Sequence, residues 1–320
     1  MKYSKILATG SYLPDAQLTN QDIEKIVDTT DEWIMKRVGI KSRHVVADSG
    51  ETTGSMASQA AESAIRNAKI NASEIDMIIV ATTTPYHLFP NTACYVQHNL
   101  GLSAKTIPAF DLNSACTGFI YALSVGDQYI KTGAYNTVLV IGVDVLTQLV
   151  DWTDRSTCIL FGDGAGACIL RSSNEPGILC TKLHADGQYG KLLKSRSGVF
   201  GRHSPDCIQM EGAEVFKIAV TKLGEIAEEV LCASGLSHEE LDWLVPHQAN
   251  YRIIKATARR LKLDMEKVIL TVKAHGNTSA ASVPLALDYG VRSGKIKRDQ
   301  NVLLEAFGAG FSWGASVVHF

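Results

Sequence analysis

Three stretches of this chain recur about half its length later, in the same order, and this duplication constrains the fold more than any other feature. Asn71-Ala-Ser-Glu-Ile-Asp76-Met-Ile-Ile-Val80 is similar to Ser237-His-Glu-Glu-Leu-Asp242-Trp-Leu-Val-Pro246, 166 residues on. Asn136-Thr-Val-Leu-Val140 is similar to Asn301-Val-Leu-Leu-Glu305, 165 on, and Phe161-Gly-Asp-Gly-Ala165 to Phe311-Ser-Trp-Gly-Ala315, 150 on. Short apolar runs alternate with longer helical patterns; the runs include residues 77–80, 137–141, 158–160, 244–245 and 302–304. Such alternation builds βαβ units and a layered α/β fold. The chain reads as two α/β units, 1–172 and 173–320, joined near residues 171–175, and a cleft between them is a natural place for a pocket. Polar, Gly/Ser-rich residues at 48–53 and 195–206 read as surface loops.

Composition excludes several classes of function. With 46% hydrophobic and 20% charged residues in 320, the chain can bury a large core. A net charge of −2 lacks the basic domain that nucleic acid demands. Seven cysteines fall without CxxC pairs or Cys/His clusters, which argues against a disulfide framework or a metal site and fits a reducing compartment. No run approaches the 18 apolar residues of a membrane span, and the first residues lack the apolar core of a signal peptide. The expectation is a cytoplasmic protein that binds neither membrane nor nucleic acid.

Chemistry concentrates in four stretches. Asp111-Leu-Asn-Ser-Ala-Cys116-Thr-Gly-Phe119 sits at a strand-to-helix switch, because residues 119–129 carry apolar groups at helical spacing. A helix N-terminus offers free N–H groups and partial positive charge, which favour a thiolate, so Cys116 reads as a nucleophile of lowered pKa. Val245-Pro246-His247-Gln248-Ala249-Asn250 ends a strand ahead of a helix, where α/β folds place ligand-binding groups. In His275-Gly-Asn277-Thr-Ser-Ala-Ala-Ser282, Asn277 offers an amide donor that stays neutral at every pH, or an ordinary Asx turn, and His275 stands behind it. Glu305-Ala-Phe-Gly308-Ala309-Gly310-Phe311 follows a strand without opening a helix, so it is no nucleotide cradle, yet its backbone can approach an oxyanion closely.

Together NSACTGF, PHQAN, HGNTSAAS and FGAGFSWG resemble the thiolase superfamily, most closely the β-ketoacyl-[acyl-carrier-protein] synthase III family, over the whole chain. The resemblance implies a duplicated five-layer αβαβα fold and a catalytic triad at Cys116, His247 and Asn277. It implies an acyltransferase that condenses an acyl-CoA primer, acetyl-CoA first among candidates, with malonyl-acyl-carrier protein by decarboxylation, initiating fatty-acid synthesis without a cofactor. The oxyanion donors would be the N–H groups of Cys116 and Ala309, where relatives often have glycine. Thr29, Trp33, Arg37, Arg155, Phe216, Lys217 and Asn250 match positions that hold CoA, Trp33 and Arg155 sandwiching its adenine. Gln248, Ala249, Asn250, Tyr251 and Arg252, supported by Arg259 and Arg260, match a carrier-protein surface. Arg252, Lys255, Arg259 and Lys262 also fall on one helical face that could steer an acidic partner. Phe89 matches a residue that crosses a two-fold interface to close the partner's acyl pocket, so a homodimer is implied.

Other readings compete. Cys116, His247 and Asn277 follow papain-like order, although the context around Cys116 is not that of such proteases. A condensing enzyme of secondary metabolism, 3-hydroxy-3-methylglutaryl-CoA formation or a non-catalytic acyl-binding relative are the remaining alternatives. The other six cysteines read as structural.

Overall fold

The computed structural model describes residues 2–47, 50–196 and 207–320. Of the expected surface loops, residues 48–49 and 197–206 lie outside these residues; Gly50 is exposed as expected, whereas Thr53 is buried and opens a helix. Two sheets carry the chain. The first contains β1 (Tyr3–Tyr12), β2 (Met77–Ala81), β3 (Ala109–Leu112), β4 (Thr137–Val145) and β5 (Asp163–Ser173), in the order β1-β5-β4-β2-β3. The second contains β6 (Ile178–Ala185), β7 (Trp243–Pro246), β8 (Asn301–Gly308) and β9 (Ser312–His319), in the order β7-β8-β9-β6. In each, a parallel pair (β2 with β4, β7 with β8) is followed by an antiparallel one (β4 with β5, β8 with β9). The second sheet's fifth strand shrinks to one parallel bridge, Leu244 to Val268.

Helices α1 (Asp31–Val38), α2 (Thr53–Ala68), α3 (Thr92–Asn99), α4 (Gly118–Lys131), α5 (Gly212–Ser234), α6 (Tyr251–Arg260) and α7 (Ser282–Arg292) complete the layers. Helices α2 and α3 cover the outer face of the first sheet, α4 and α7 lie between the sheets, and α5 and α6 cover the second. Strand alternation explains this. Leu139, Ile141 and Val143 of β4 join the cluster under α2, whereas Val138 and Val140 join the central one. Likewise Leu303 and Phe307 of β8 face the outer cluster under α5, and Val302, Leu304 and Ala306 the central one. Both sheets are therefore buried on both faces, which is why their strands read as continuous apolar runs.

The ladders refine the repeat. Met77 pairs with Val138 and Trp243 with Val302, so the second offset is 164 rather than 165. Leu170 pairs with Val138 and Val318 with Val302, which makes the third 148 rather than 150 and equates Gly166, not Gly164, with Gly314. One expected strand is absent: residues 155–158 form a helical turn, because Asp154 caps it by accepting from the Ser156 N–H at 2.8 Å.

Candidate active site

Between β3 and α4 the backbone makes one 3₁₀ turn, Ala115–Thr117, with Cys116 at its centre. Asn113 Oδ1 accepts from the Ala115 N–H (3.1 Å), and Ala115 holds φ +46°. A left-handed alanine is strained by roughly 1–2 kcal/mol, strain of the kind found at functional turns. Gly308, at the end of β8, presses against this turn: a Cβ there would lie 2.8 Å from the Cys116 nitrogen. No described side chain caps that N–H. Ala309, next in the chain, keeps a negative φ, so alanine suits the site without strain.

The duplication supplies a second copy of the turn that sequence comparison missed. Asn113-Ser-Ala-Cys-Thr-Gly118 and Asn277-Thr-Ser-Ala-Ala-Ser282 stand 164 residues apart, the β4-to-β8 offset. In the second copy Asn277 Oδ1 accepts from the Ser279 N–H (2.9 Å), Ser279 holds φ +51°, and α7 follows. Ala280 thus occupies the place of Cys116. Asn277 is indeed an Asx turn, but that bond uses only Oδ1 and orients Nδ2 as a free donor among the described residues. The signal available in sequence was the shared Asn at the start of each turn.

His247 follows β7, its N–H donating to the Glu305 carbonyl (2.8 Å). It is 6% exposed. Burial drives its pKa down to about 4, so the imidazole is neutral near neutral pH, and Nδ1 has no partner among the described residues. Direct contacts tie the segments together. Gly308 abuts Cys116, and the Gln248 N–H donates to Ser282 Oγ (2.7 Å). The helix end alone argued for a lowered thiol pKa, and the structure reverses that. Burial and, less strongly, the Asp144 carboxylate push Cys116 up to about 11, against the pull of the nearby Ser279 hydroxyl and its own N–H. The resting site pairs a buried thiol with a neutral imidazole and a neutral amide.

At the surface, Trp33 and Arg155 come together, with the guanidinium 5.0 Å from the ring centroid and an Arg155 Nη1 bond to the Asp28 carbonyl (2.8 Å). They stack on each other, whereas a base held between them needs about 7 Å of separation. The sandwich is closed here. Arg252 similarly lies 4.9 Å from the Phe216 ring. Gly39 at the end of α1 has φ +80°, and a Cβ there would meet Tyr251 Cβ at 2.6 Å, so α1 and α6 pack side by side. Asn250 caps α6 through the Arg252 N–H (2.8 Å). Thr29 Oγ1 is buried without a described partner, Arg37 is exposed and Lys217 pairs with Glu214 (2.7 Å).

Three expectations need correction. Gln248 is no docking residue. It is 1% exposed, its Nε2 donating to the Pro246 and Ile269 carbonyls and its Oε1 accepting from the Thr271 and Val272 N–H groups, so it staples the loop to the core. The basic row loses its last member, because α6 ends at Arg260 and Lys262 turns away with φ +54°. Arg252, Lys255, Arg259 and Arg260 stay exposed, and Ala249 and Tyr251 are half-buried. Among the other cysteines, Cys232 is exposed, so apolar packing does not account for it. Phe89 is 86% exposed, beside the exposed Tyr86 and Leu88. Among the described residues no group of three or more His, Cys, Asp or Glu could hold a metal, and no helix is long and apolar enough to cross a membrane.

Residues 110–187 match the family described as 3-oxoacyl-[acyl-carrier-protein (ACP)] synthase III, and residues 231–320 match its C-terminal model. The chain is 59% identical over 318 residues to the β-ketoacyl-[acyl-carrier-protein] synthase III of Coxiella burnetii (strain CbuK_Q154), covering 99% of each chain. It superposes on the crystal structure of 3-oxoacyl-[acyl-carrier-protein] synthase III from Aquifex aeolicus VF5 with a TM-score of 0.94 and 46% identity, covering 99% of this chain and 100% of that one. The priming β-ketosynthase of the R1128 polyketide biosynthetic pathway gives a TM-score of 0.93 at 35% identity, covering 99% and 96%.

Proposed function

The chain belongs to the 3-oxoacyl-[acyl-carrier-protein] synthase III family, thiolase-fold condensing acyltransferases that initiate fatty-acid synthesis, and we propose that Cys116, His247 and Asn277 carry the reaction. The observation that supports this reading is the paired turn. One copy presents a nucleophile against Gly308 at the end of β8, and the other presents an oriented amide donor and meets the loop of His247 through Ser282.

In the first half-reaction the Cys116 sulfur attacks the carbonyl of an acyl-CoA. The thiol proton leaves with CoA, and the acyl group stays on sulfur. A thiol near 11 is mostly protonated at neutral pH, so deprotonation accompanies attack. The Cys116 and Ala309 N–H groups hold the tetrahedral oxyanion; each such donor is worth roughly 3–4 kcal/mol. In the second, malonyl-acyl-carrier protein loses CO₂, and its electron pair becomes an enolate held by donors from His247 and Asn277. The enolate carbon attacks acyl-Cys116, and the departing sulfur takes up a proton. Atoms and electrons balance with the two substrates and one proton from water, which restores the thiol, so the scheme calls on no cofactor. A neutral His247 keeps one ring N–H to donate.

Trp33, Arg37, Arg155, Phe216, Lys217, Thr29 and Asn250 form the CoA path, with Trp33 and Arg155 parting to admit the adenine. Arg252, Arg259 and Arg260, beside Ala249 and Tyr251, receive the acidic carrier. Phe89 and its exposed neighbours meet a second copy of the chain in a homodimer. Water-soluble substrates support a cytoplasmic site of action, and the preferred primer is acetyl-CoA.

Intact mass after mixing with a panel of acyl-CoAs tests the assignment. A single adduct on the Cys116 peptide should form and vanish on adding malonyl-carrier, with a 3-oxoacyl product; failure of every CoA thioester to label Cys116 would sink it. For the docking surface, Arg252→Glu should raise KM for malonyl-carrier on the order of tenfold at low ionic strength, where steering is strongest, while acyl-CoA loading holds steady. An unchanged KM removes Arg252 from the docking surface.

A further inference from the structure

Asp144, near the end of β4, is fully buried and pivots on one oxygen. Its Oδ1 accepts from the Thr82 hydroxyl (3.2 Å), from Thr83 N–H and hydroxyl (both 2.8 Å) and from Thr84 N–H (3.2 Å) and hydroxyl (2.9 Å). Its Oδ2 crosses to the other half of the duplication and accepts from the Ala280 N–H at 3.1 Å.

The offset of 164 equates Asp144 with Gly308 and Cys116 with Ala280. The two halves therefore make the same strand-end-to-turn contact in opposite senses. One N–H, that of Ala280, is closed by a carboxylate. The other, that of Cys116, faces a glycine and stays open for an oxyanion.

We propose that Asp144 is a positioning residue for the enolate half-reaction: by holding the Ala280 N–H it fixes the turn that aims Asn277 Nδ2. This rests on the assignment of Asn277 and Cys116 above. The geometry leaves little slack, since Ser279 lies one residue from Ala280 and its N–H is the bond that orients Asn277. A carboxylate here also places a negative charge near the thiol and raises its pKa. Asp144 therefore aids one half-reaction while opposing ionisation for the other.

Asp144→Asn separates these effects. Its Oδ1 can keep the three threonines, but Nδ2 then confronts the Ala280 N–H, donor against donor. Malonyl-carrier decarboxylation should fall about 10²-fold, the scale of a roughly 1 Å misplacement. Alkylation of the Cys116 peptide by iodoacetamide should shift its alkaline limb to lower pH. In an Asn277→Ala background, Asp144→Asn should add less than about threefold, because the two act through one donor. Thr83→Val removes a donor to Oδ1 alone; it should lower Tm and leave the ratio of half-reactions unchanged.

An α-hydroxy acid at position 280 deletes only the N–H and should reproduce the decarboxylation loss even if Asp144→Asn does not fold. Full additivity with Asn277→Ala, or an ester at 280 with normal decarboxylation, overturns the positioning role. So does Thr83→Val changing the ratio as much as Asp144→Asn. Wild-type protein that neither loads acyl groups nor decarboxylates malonyl-carrier refutes the condensation reading itself, which is read before any variant.

Discussion

Cys116→Ala should abolish condensation, by on the order of 10⁴-fold or more, while malonyl-carrier decarboxylation persists. The first part follows from covalent chemistry: without Sγ no acyl-enzyme exists, and losing the nucleophile of a cooperating set removes nearly all of its rate. The second follows from where the donors sit. Asn277 is oriented by Ser279 within its own turn, and His247 is held by the Glu305 carbonyl, so neither depends on the Cys116 side chain. The measurement is CO₂ release against 3-oxoacyl product for wild type and variant. Loss of both activities would mean that the thiol itself organises the enolate site, and the division of labour proposed here would fail.

Glu305→Gln should stabilise the protein in a strongly pH-dependent way. Glu305 lies on β8 between Leu303 and Phe307, on the face turned to the outer apolar cluster, and it is fully buried. Neither carboxyl oxygen has a hydrogen-bond partner among the described residues. The Thr257 hydroxyl faces it too loosely for a proper bond and lowers the pKa only in part, so burial pushes the carboxyl up to about 8.

Below the ordinary value of 4.5 both folded and unfolded chains hold this proton. Between 4.5 and about 8 only the folded chain does, so the unfolded state binds fewer protons and stability declines with rising pH. The slope is about 1.4 kcal/mol per pH unit, which amounts to about 4 kcal/mol by pH 7.5. Glutamine fills the same volume without that linkage. Thermal unfolding should show wild type and variant close together near pH 4.5 and the variant roughly 5–10 °C higher at pH 7.5. A gap that does not widen with pH would show that Glu305 is not buried as a neutral acid.

The buried carboxyls of Asp144 and Glu305 show how far the site could be read in advance. The motif residues Cys116, His247 and Asn277 stand on a turn, a strand end and an Asx turn, as their local sequences imply. Turn chemistry and apolar periodicity are short-range, so a window of about ten residues carries them. The duplication was legible for the same reason, since each half repeats the same local pattern. Its second turn was missed because Asn113 and Asn277 are the one identical pair among six aligned residues. There the backbone shape is kept while the side chains diverge, one copy supplying sulfur and the other an amide.

By itself, then, the sequence determined the layered α/β duplication, the family and the segments in which the proposed site residues stand. Tertiary structure decided what those residues are physically. It buried Gln248 as a staple rather than a docking group, stacked Arg155 on Trp33, and ended the basic row at the close of α6. It also raised the Cys116 thiol, lowered His247, and set Asp144 against Ala280, 136 residues away in the chain. The reason is common to all of them. Desolvation and cross-chain hydrogen bonds depend on which distant segments come to lie together, and no local pattern of residues encodes that.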